Sequence, residues 1–347
     1  VGERDTKYYI DEIHEIYVVY DDQVLRADRL MSTPLVYIGG SGRSGSTLLE
    51  RMLACVPGYW SVGEAEFIWQ RGLQRNDRCG CGARFADCAF WTQVGEVGFG
   101  GWHQVDIDAA VALRATVDRH RNIDRLSGLR GGGKLAGALA AYARLTGRLY
   151  QAVREVSGAA VIVDSSKNVS YALLLRDLPG FDLRLVHLIR RSHGVAYSWS
   201  KRVRKPGVGD GSEYMSVHRP SWAVGLWLAD NLLYEALGRR LPRSTRIRYE
   251  DLVTNPRAEL GRVVQDLDLP AADLTLNFLT DSTADLPASH ALSGNPMRVQ
   301  RGQLVLRADD EWRSAMSRRR QAAISAATWP LLLRYGYPIA SRAHQQQ

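Results

Sequence analysis

Four places in this 347-residue sequence combine residue types and spacings suited to chemistry on an anion. The first is Gly39-Gly40-Ser41-Gly42-Arg43-Ser44-Gly45-Ser46-Thr47. Closely spaced glycines allow a tight turn whose backbone N–H groups converge on one point, and a following helix adds its dipole. Arg43 and the hydroxyls of Ser44, Ser46 and Thr47 supply further donors, so the natural occupant is a phosphate or a sulfated phosphate. Gly40 and Gly45 have the G-x-x-x-x-G spacing of nucleotide loops, but Ser46 stands where the lysine that reaches the outer phosphates of ATP belongs. The second place is Arg190 with Ser198 and Arg202. An arginine gives phosphate a bidentate charged fork and a serine adds a neutral donor. Ser198 and Arg202 are four apart, which predicts one shared helix face. The third is Asp164-Ser165-Ser166-Lys167, and the fourth is Gly63-Glu64-Ala65-Glu66, which offers two carboxylates for accepting a proton.

The elements that must position these residues follow from apolar runs and breakers. Leu35–Ile38 reads as a buried strand entering the glycine turn, and Leu48, Leu49, Met52 and Leu53 recur at helical spacing beyond it. Ala160–Asp164, Leu183–Ile189 and Thr245–Tyr249 read as three further strands, each followed by a helical pattern. Strands alternating with helices predict an α/β fold with a mostly parallel sheet flanked by helices, whose ligand lies at the carboxyl ends of the strands. Residues 1–30 stand apart as an acidic, tyrosine-rich N-terminal arm or extension, and Met31 resembles a translation start. Residues 31–347 read as a single domain with a helical or lid insertion at about 67–157. Arg204–Ser212 reads as a gate over the site.

Over residues 35–313 the sequence resembles the sulfotransferases that use 3′-phosphoadenosine-5′-phosphosulfate (PAPS). Gly40-x-x-Arg43-Ser44-Gly45-Ser46-Thr47 is similar to their 5′-phosphosulfate loop, and Arg190-x7-Ser198-x3-Arg202 to their 3′-phosphate motif. Asp164–Lys167 resembles the site where tyrosylprotein sulfotransferases keep a catalytic lysine. Arg248-Tyr249-Glu250-Asp251-Leu252 resembles a stretch whose tyrosine approaches the nucleotide. Ser293-Gly294-Asn295-Pro296-Met297-Arg298 resembles the C-terminal loop that closes over the cofactor. The resemblance implies a P-loop-type three-layer fold, with Gly42, Arg43, Ser44, Gly45, Ser46, Thr47, Arg190, Ser198, Arg202, Tyr249, Asn295 and Arg298 holding the cofactor. Arginine at position 43, where cytosolic members have lysine, is similar to the tyrosylprotein and bacterial branches. Arg43 and Lys167 are then the catalytic cations. Glu64 is the base by alignment on Gly63, with Glu66 in reserve because Ala65 takes the place of the second glutamate of the pattern.

Composition bounds the reading further. A net charge of +8 suits an anionic ligand. No basic tract alternates with aromatics, so no nucleic-acid partner is expected. No 18-residue apolar run occurs, so no membrane span is expected. With no apolar leader and only four cysteines, the expectation is a cytoplasmic protein. Three of the cysteines form Cys79-Gly80-Cys81-Gly82-x5-Cys88, for which three readings stay open: structural thiols, a disulfide, or a Zn²⁺ site completed by Cys55 or a histidine. His187 reads as core, His193 as a cofactor contact or helix cap, and His218 and His290 as border residues of an acceptor pocket. Trp199, Trp222, Trp227 and Tyr214 are candidates to line that pocket.

The sequence therefore points to sulfonate transfer from PAPS to a hydroxyl, less readily an amine, of a small-molecule or glycosidic acceptor. Sulfuryl transfer itself needs no metal, and a homodimer is compatible with the chain. A P-loop kinase holding Mg²⁺ through Asp164 is the first alternative. A non-catalytic adenosine-bisphosphate-binding protein is the second.

Overall fold

The computed structural model describes residues 32–127, 135–204, 214–271 and 274–339. The N-terminal arm and most of the Arg204–Ser212 gate lie outside the described residues. Thr33–Gly39 forms the central strand β1, and every residue from Pro34 to Gly39 is buried. Further strands are β2 (Tyr59–Gly63), β3 (Val161–Asp164), β4 (Phe181–Ile189) and β5 (Ser244–Arg248). They form one sheet in the order β2-β3-β1-β4-β5, with all neighbours parallel. This is the expected helix-flanked α/β sheet, with one strand more than the sequence patterns indicate.

The run Leu35–Ile38 is apolar without alternation because both of its faces are covered. Leu35 and Tyr37 join a core with Tyr150, Leu174 and Trp91, whereas Val36 and Ile38 join a core with Leu49, Met52 and Leu260. The helix Ser46–Leu53 packs in the second core. Helices Ala89–Phe99, Leu135–Ser157 and Val169–Arg176 pack in the first. Between 67 and 157 the described elements are helices, beginning with the π-helical stretch Ile68–Gln74, joined by turns and by a loop closed through an Arg78–Arg84 bridge.

Beyond the sheet, β6 (Thr283–Leu286) and β7 (Gly302–Val305) pair antiparallel. The segment between them returns to the sheet: Leu292 bridges Gly63, and the Glu64 N–H donates to the Leu292 carbonyl at 2.8 Å. Arg51, on the helix behind the glycine turn, gathers the same segment through the carbonyls of Pro287, Met297 and Gln300 at 2.9, 2.8 and 2.6 Å. One buried arginine thus fastens a distant loop to the start of the sheet.

Candidate active site

The register β1–β4 places Gly39 opposite His187, so the glycine turn after β1 and Arg190 after β4 emerge side by side. The turn needs glycine at two positions for steric reasons. Gly45 has φ +95°, and a Cβ there would lie 2.5 Å from the Tyr249 ring. Gly40 has φ +144°, and a Cβ there would lie 2.2 Å from the Leu188 carbonyl oxygen. Gly45 opens the helix Ser46–Leu53 with no side-chain cap. The first N–H groups of such a helix have no intrahelical partner, and they point with the dipole toward the turn.

A cavity of about 520 Å³ opens at this end of the sheet. Of the residues assigned from sequence, Gly42, Arg43, Gly45, Ser46, Thr47, Glu64, Lys167, Arg190, Ser198, Tyr249 and Asn295 line it. Ser44 is buried beneath the turn, and its hydroxyl has no partner among the described residues. Arg43 has φ +71° and lies over the Trp199 ring at 4.8 Å. Its Nη1 meets the Met215 sulfur at 2.9 Å, but its buried Nε and Nη2 have no partner among the described residues. Burial pulls this guanidinium below its ordinary pKa, Glu64 opposes that, and Arg190 adds to it. An arriving anion would relieve both the desolvation and the orphaned donors.

Arg190 lies over the Tyr249 ring at 4.7 Å and donates to the Arg43 carbonyl at 3.1 Å. It also pairs with the Asp309 carboxylate at 3.0 Å, and Lys201 stands 3.6 Å from the same carboxylate. The strand-end lysine, Lys167, has φ +64°. It donates to Glu64 at 2.5 Å and to the Ser165 carbonyl at 2.6 Å. Ser293 donates to the other Glu64 oxygen at 2.9 Å, and Arg71 in turn donates to Ser293 at 2.6 Å. Burial alone would raise the Glu64 carboxyl, but the Lys167 ammonium, then Arg71 and the Ser293 hydroxyl, outweigh it and hold the group below its ordinary value. Glu66 goes the other way. Burial first, then the Asp118 carboxylate, lifts it well above the ordinary range. Glu64 is therefore ionised at neutral pH, whereas Glu66 is pushed toward its protonated form, with Arg114 at 3.9 Å opposing that.

Two assigned residues sit elsewhere. The helix Ser192–Ser200 stops before Arg202, so Ser198 and Arg202 do not share a helix face. Arg202 is exposed and stacks on Tyr214 at 4.0 Å, away from the cavity lining. Arg298 is buried behind the loop, where it donates to the Arg78 carbonyl at 3.2 Å. Asn295 lines the cavity while capping the turn Pro296–Val299 through the Met297 N–H. Asp164 is fully buried, and both its oxygens are taken, one by the Tyr150 hydroxyl at 2.5 Å and one by the Ser166 N–H at 2.6 Å.

Of the histidines and aromatics, His187 is core, held to Asn231 at 2.9 Å, and burial lowers it to about 4. His193 packs on Trp312 and bonds the Gln321 carbonyl at 3.0 Å, away from the cavity. His218 stacks on Trp222, Trp199 lines the cavity, and Trp227 is core. His290 does not border this cavity; it faces the cysteines. Cys55 is separate from them and bonds the Arg51 carbonyl at 3.3 Å.

Sequence reasoning missed Arg71, Phe67, Met215 and Asp309, all of which line the cavity. Arg71 is the one with a usable signal, seven residues after Glu64 in a segment that turns back on the site. Asp309 had none, because its role depends on the approach of a distant loop.

A solved sulfotransferase domain from the curacin biosynthetic pathway is similar at 18% identity, with a TM-score of 0.48. The match covers 89% of this chain and 99% of that one. No protein-family model and no curated protein matches the chain. Among the described residues, no helix is long and apolar enough to cross a membrane.

Proposed function

We propose that the chain is a PAPS-dependent sulfotransferase acting on a hydroxyl of a small-molecule or glycosidic acceptor. The observation that carries this reading is a pair of cationic subsites on adjacent strand ends of one cavity. Arg43, with orphaned donors at an uncapped helix start, forms one, and Arg190 over Tyr249 forms the other. A nucleotide with a phosphate on each side of its ribose needs two such places. Among the described residues, the lining carries the cations Arg43, Arg71, Lys167 and Arg190 against the carboxylates Glu64, Glu66 and Asp309. Four cations against three carboxylates leave the cavity net positive even with every carboxylate ionised, which suits a polyanion.

PAPS brings the transferable sulfonate, with adenosine 3′,5′-bisphosphate as its leaving group. The turn amides, Arg43 and the hydroxyls of Ser46 and Thr47 hold the 5′ side, where charge grows on the bridging oxygen during in-line transfer. Donors fixed at that point before reaction are the largest source of rate enhancement available here. Arg190 and Ser198 hold the 3′-phosphate. Glu64 accepts the proton of the attacking hydroxyl. A carboxylate has about four lone-pair sites, so Lys167 and Ser293 leave room for that third partner. Lys167 lowers the basicity of Glu64 but would stand beside the reacting oxygens, where its charge stabilises the developing anion.

A kinase reading asks the β3 aspartate to reach a metal, yet Asp164 is turned inward onto Tyr150 and Ser166. Thermal-shift titration decides between the readings. Adenosine 3′,5′-bisphosphate is expected to raise Tm without added metal, and adenosine 5′-monophosphate to do so far less. Stabilisation by ATP-Mg²⁺ alone overturns the proposal. If the bisphosphate binds but a labelled-PAPS screen over hydroxyl acceptors yields no transfer, the non-catalytic binding protein is the better reading.

A further inference from the structure

The cysteine-rich segment lies outside the cavity, and nothing in the transfer chemistry uses it. Cys79 and Cys88 are buried, Cys81 is half-buried, and His290 from the distant β6–β7 segment completes the group. One ligand atom from each lies within 4.8 Å of all the others. The Cys79–Cys88 and Cys81–Cys88 sulfurs are each 3.7 Å apart. The His290 Nδ1 is 3.2 Å from Cys88 and 3.8 Å from Cys79. A tetrahedral zinc with Zn–S near 2.3 Å and Zn–N near 2.0–2.1 Å requires S···S of about 3.8 Å and S···N of about 3.5 Å. Four of the six pair distances stand within about 0.3 Å of those values, and the other two lie within 4.8 Å. A disulfide needs sulfurs about 2.05 Å apart, and the imidazole has no part in one.

The surroundings fit a metal site as well. The Cys81 backbone contacts the Cys79 sulfur, and the Trp91 backbone the Cys88 sulfur. The His290 ring stacks on Trp60 and packs on Phe90, and Trp91 holds the His290 carbonyl at 3.0 Å. These contacts fix the ring with Nδ1 toward the sulfurs. Gly82, with φ +92°, lets the chain fold back so that its N–H reaches the Cys79 carbonyl at 2.9 Å.

We propose that Cys79, Cys81, Cys88 and His290 bind one Zn²⁺ in a closed, structural Cys₃His site. Binding would join residues 79–88 to the segment at 290. Three residues further on, Ser293 donates to Glu64, and Gly294 and Asn295 line the cavity. The metal therefore clamps the loop that completes the active site, without touching the substrate.

The test is metal content of the purified full-length chain. After incubation with Zn²⁺ and dialysis, elemental analysis is expected to give about one zinc per chain in the wild type, and much less in Cys88→Ser and His290→Ala. Should those variants not fold, the wild type carries the test. Co²⁺ exchanged into it is expected to show tetrahedral d–d absorption with a thiolate charge-transfer band, and chelation is expected to lower Tm reversibly on zinc return. Metal-free wild type after this treatment overturns the proposal. So does a disulfide among the three cysteines in protein purified without reductant, or a His290→Ala protein with the full tetrahedral cobalt spectrum. None of these outcomes depends on PAPS binding, so this proposal and the sulfotransferase reading fail separately.

Discussion

Asp309 already occupies the cation assigned to the 3′-phosphate. Its carboxylate is 3.0 Å from Arg190 and 3.6 Å from Lys201, and its side chain is 35% exposed. A 3′-phosphate bound there as proposed would have to displace or share this partner, so Asp309 would compete with the ligand. Arg190→Ala removes a charge-assisted fork worth about 1.5–3 kcal/mol, which is roughly a 10- to 150-fold rise in Kd for adenosine 3′,5′-bisphosphate. Asp309→Asn acts in the opposite direction. Asp309 is solvent-accessible although Arg190 is buried, so a solvent-screened value of about 0.2–1 kcal/mol applies, and releasing Arg190 should tighten binding roughly 1.5- to 5-fold. Isothermal titration at low and moderate salt measures both changes. In the double variant Arg190→Ala/Asp309→Asn, the gain should shrink, because no fork is left to be freed. Weaker binding in Asp309→Asn would refute the competition, and would make Asp309 the residue that aims Arg190 at the ligand. Tightening that persists undiminished without Arg190 would mean that Asp309 acts by bulk repulsion alone.

Glu64→Gln should cut turnover about 10²- to 10⁴-fold while leaving bisphosphate affinity nearly unchanged, whereas a Glu64→Gln enzyme that keeps turnover while Glu66→Gln loses it reverses the base assignment. Lys167→Met leaves Glu64 with its burial but without its main counter-charge, so the acid limb of the kcat–pH profile should move upward by about 1–3 units. Gly45→Ala puts a Cβ 2.5 Å from the Tyr249 ring at φ +95° and should lower stability by about 1–3 kcal/mol, read by denaturant melts, with bisphosphate binding weakened as well. Burial raises Glu50 to about 7 despite hydrogen bonds from Ser165 and Ser61. Because the folded state then holds the proton more tightly than the unfolded chain, stability from this group is full below about pH 4.5 and is lost as pH rises through 7. The loss is about 3 kcal/mol, and Glu50→Gln should remove that portion of the pH dependence in urea melts taken between pH 5 and 8.

What the sequence disclosed is what local pattern encodes. β1 and β3 are buried on both faces and read as apolar runs, β4 reads as a mostly apolar one interrupted by Arg184 and His187, and the glycine turn declares itself by spacing. Strand β2 was not legible: it is a five-residue edge strand, Tyr59–Gly63, with a polar Ser61 inside. Arg202 fits the motif in sequence, yet the helix ends at Ser200 because Lys201 is already extended, and the four-residue spacing loses its meaning. Arg51 reads as an ordinary helix arginine until the β6–β7 segment arrives to offer it carbonyls. His290 likewise reads as a loop histidine until about 200 residues of intervening chain bring it to Cys88. Contacts made across the fold leave no periodicity behind, so arginines and histidines used that way look like surface residues.

The two cations assigned to the transferring group share a conformational peculiarity. Arg43 at φ +71° and Lys167 at φ +64° are both non-glycine residues in the left-handed region. Each costs of order 1 kcal/mol there, and glycine at either position would remove that cost. The strain has a geometric return. A strand alternates its side chains across the sheet, so a residue just past its end would ordinarily point into one of the two flanking layers. A left-handed residue breaks that alternation and can direct its side chain along the strand axis, over the carboxyl edge. Arg43 follows β1 and Lys167 follows β3, and these strands are neighbours in the sheet. The same backbone device, used twice on adjacent strands, brings both cations into one cavity beside Glu64. Lys167 uses that position to pair with Glu64, and Arg43 to lie over Trp199; under the proposed sulfonate transfer the same strain also serves to face both charges toward the ligand.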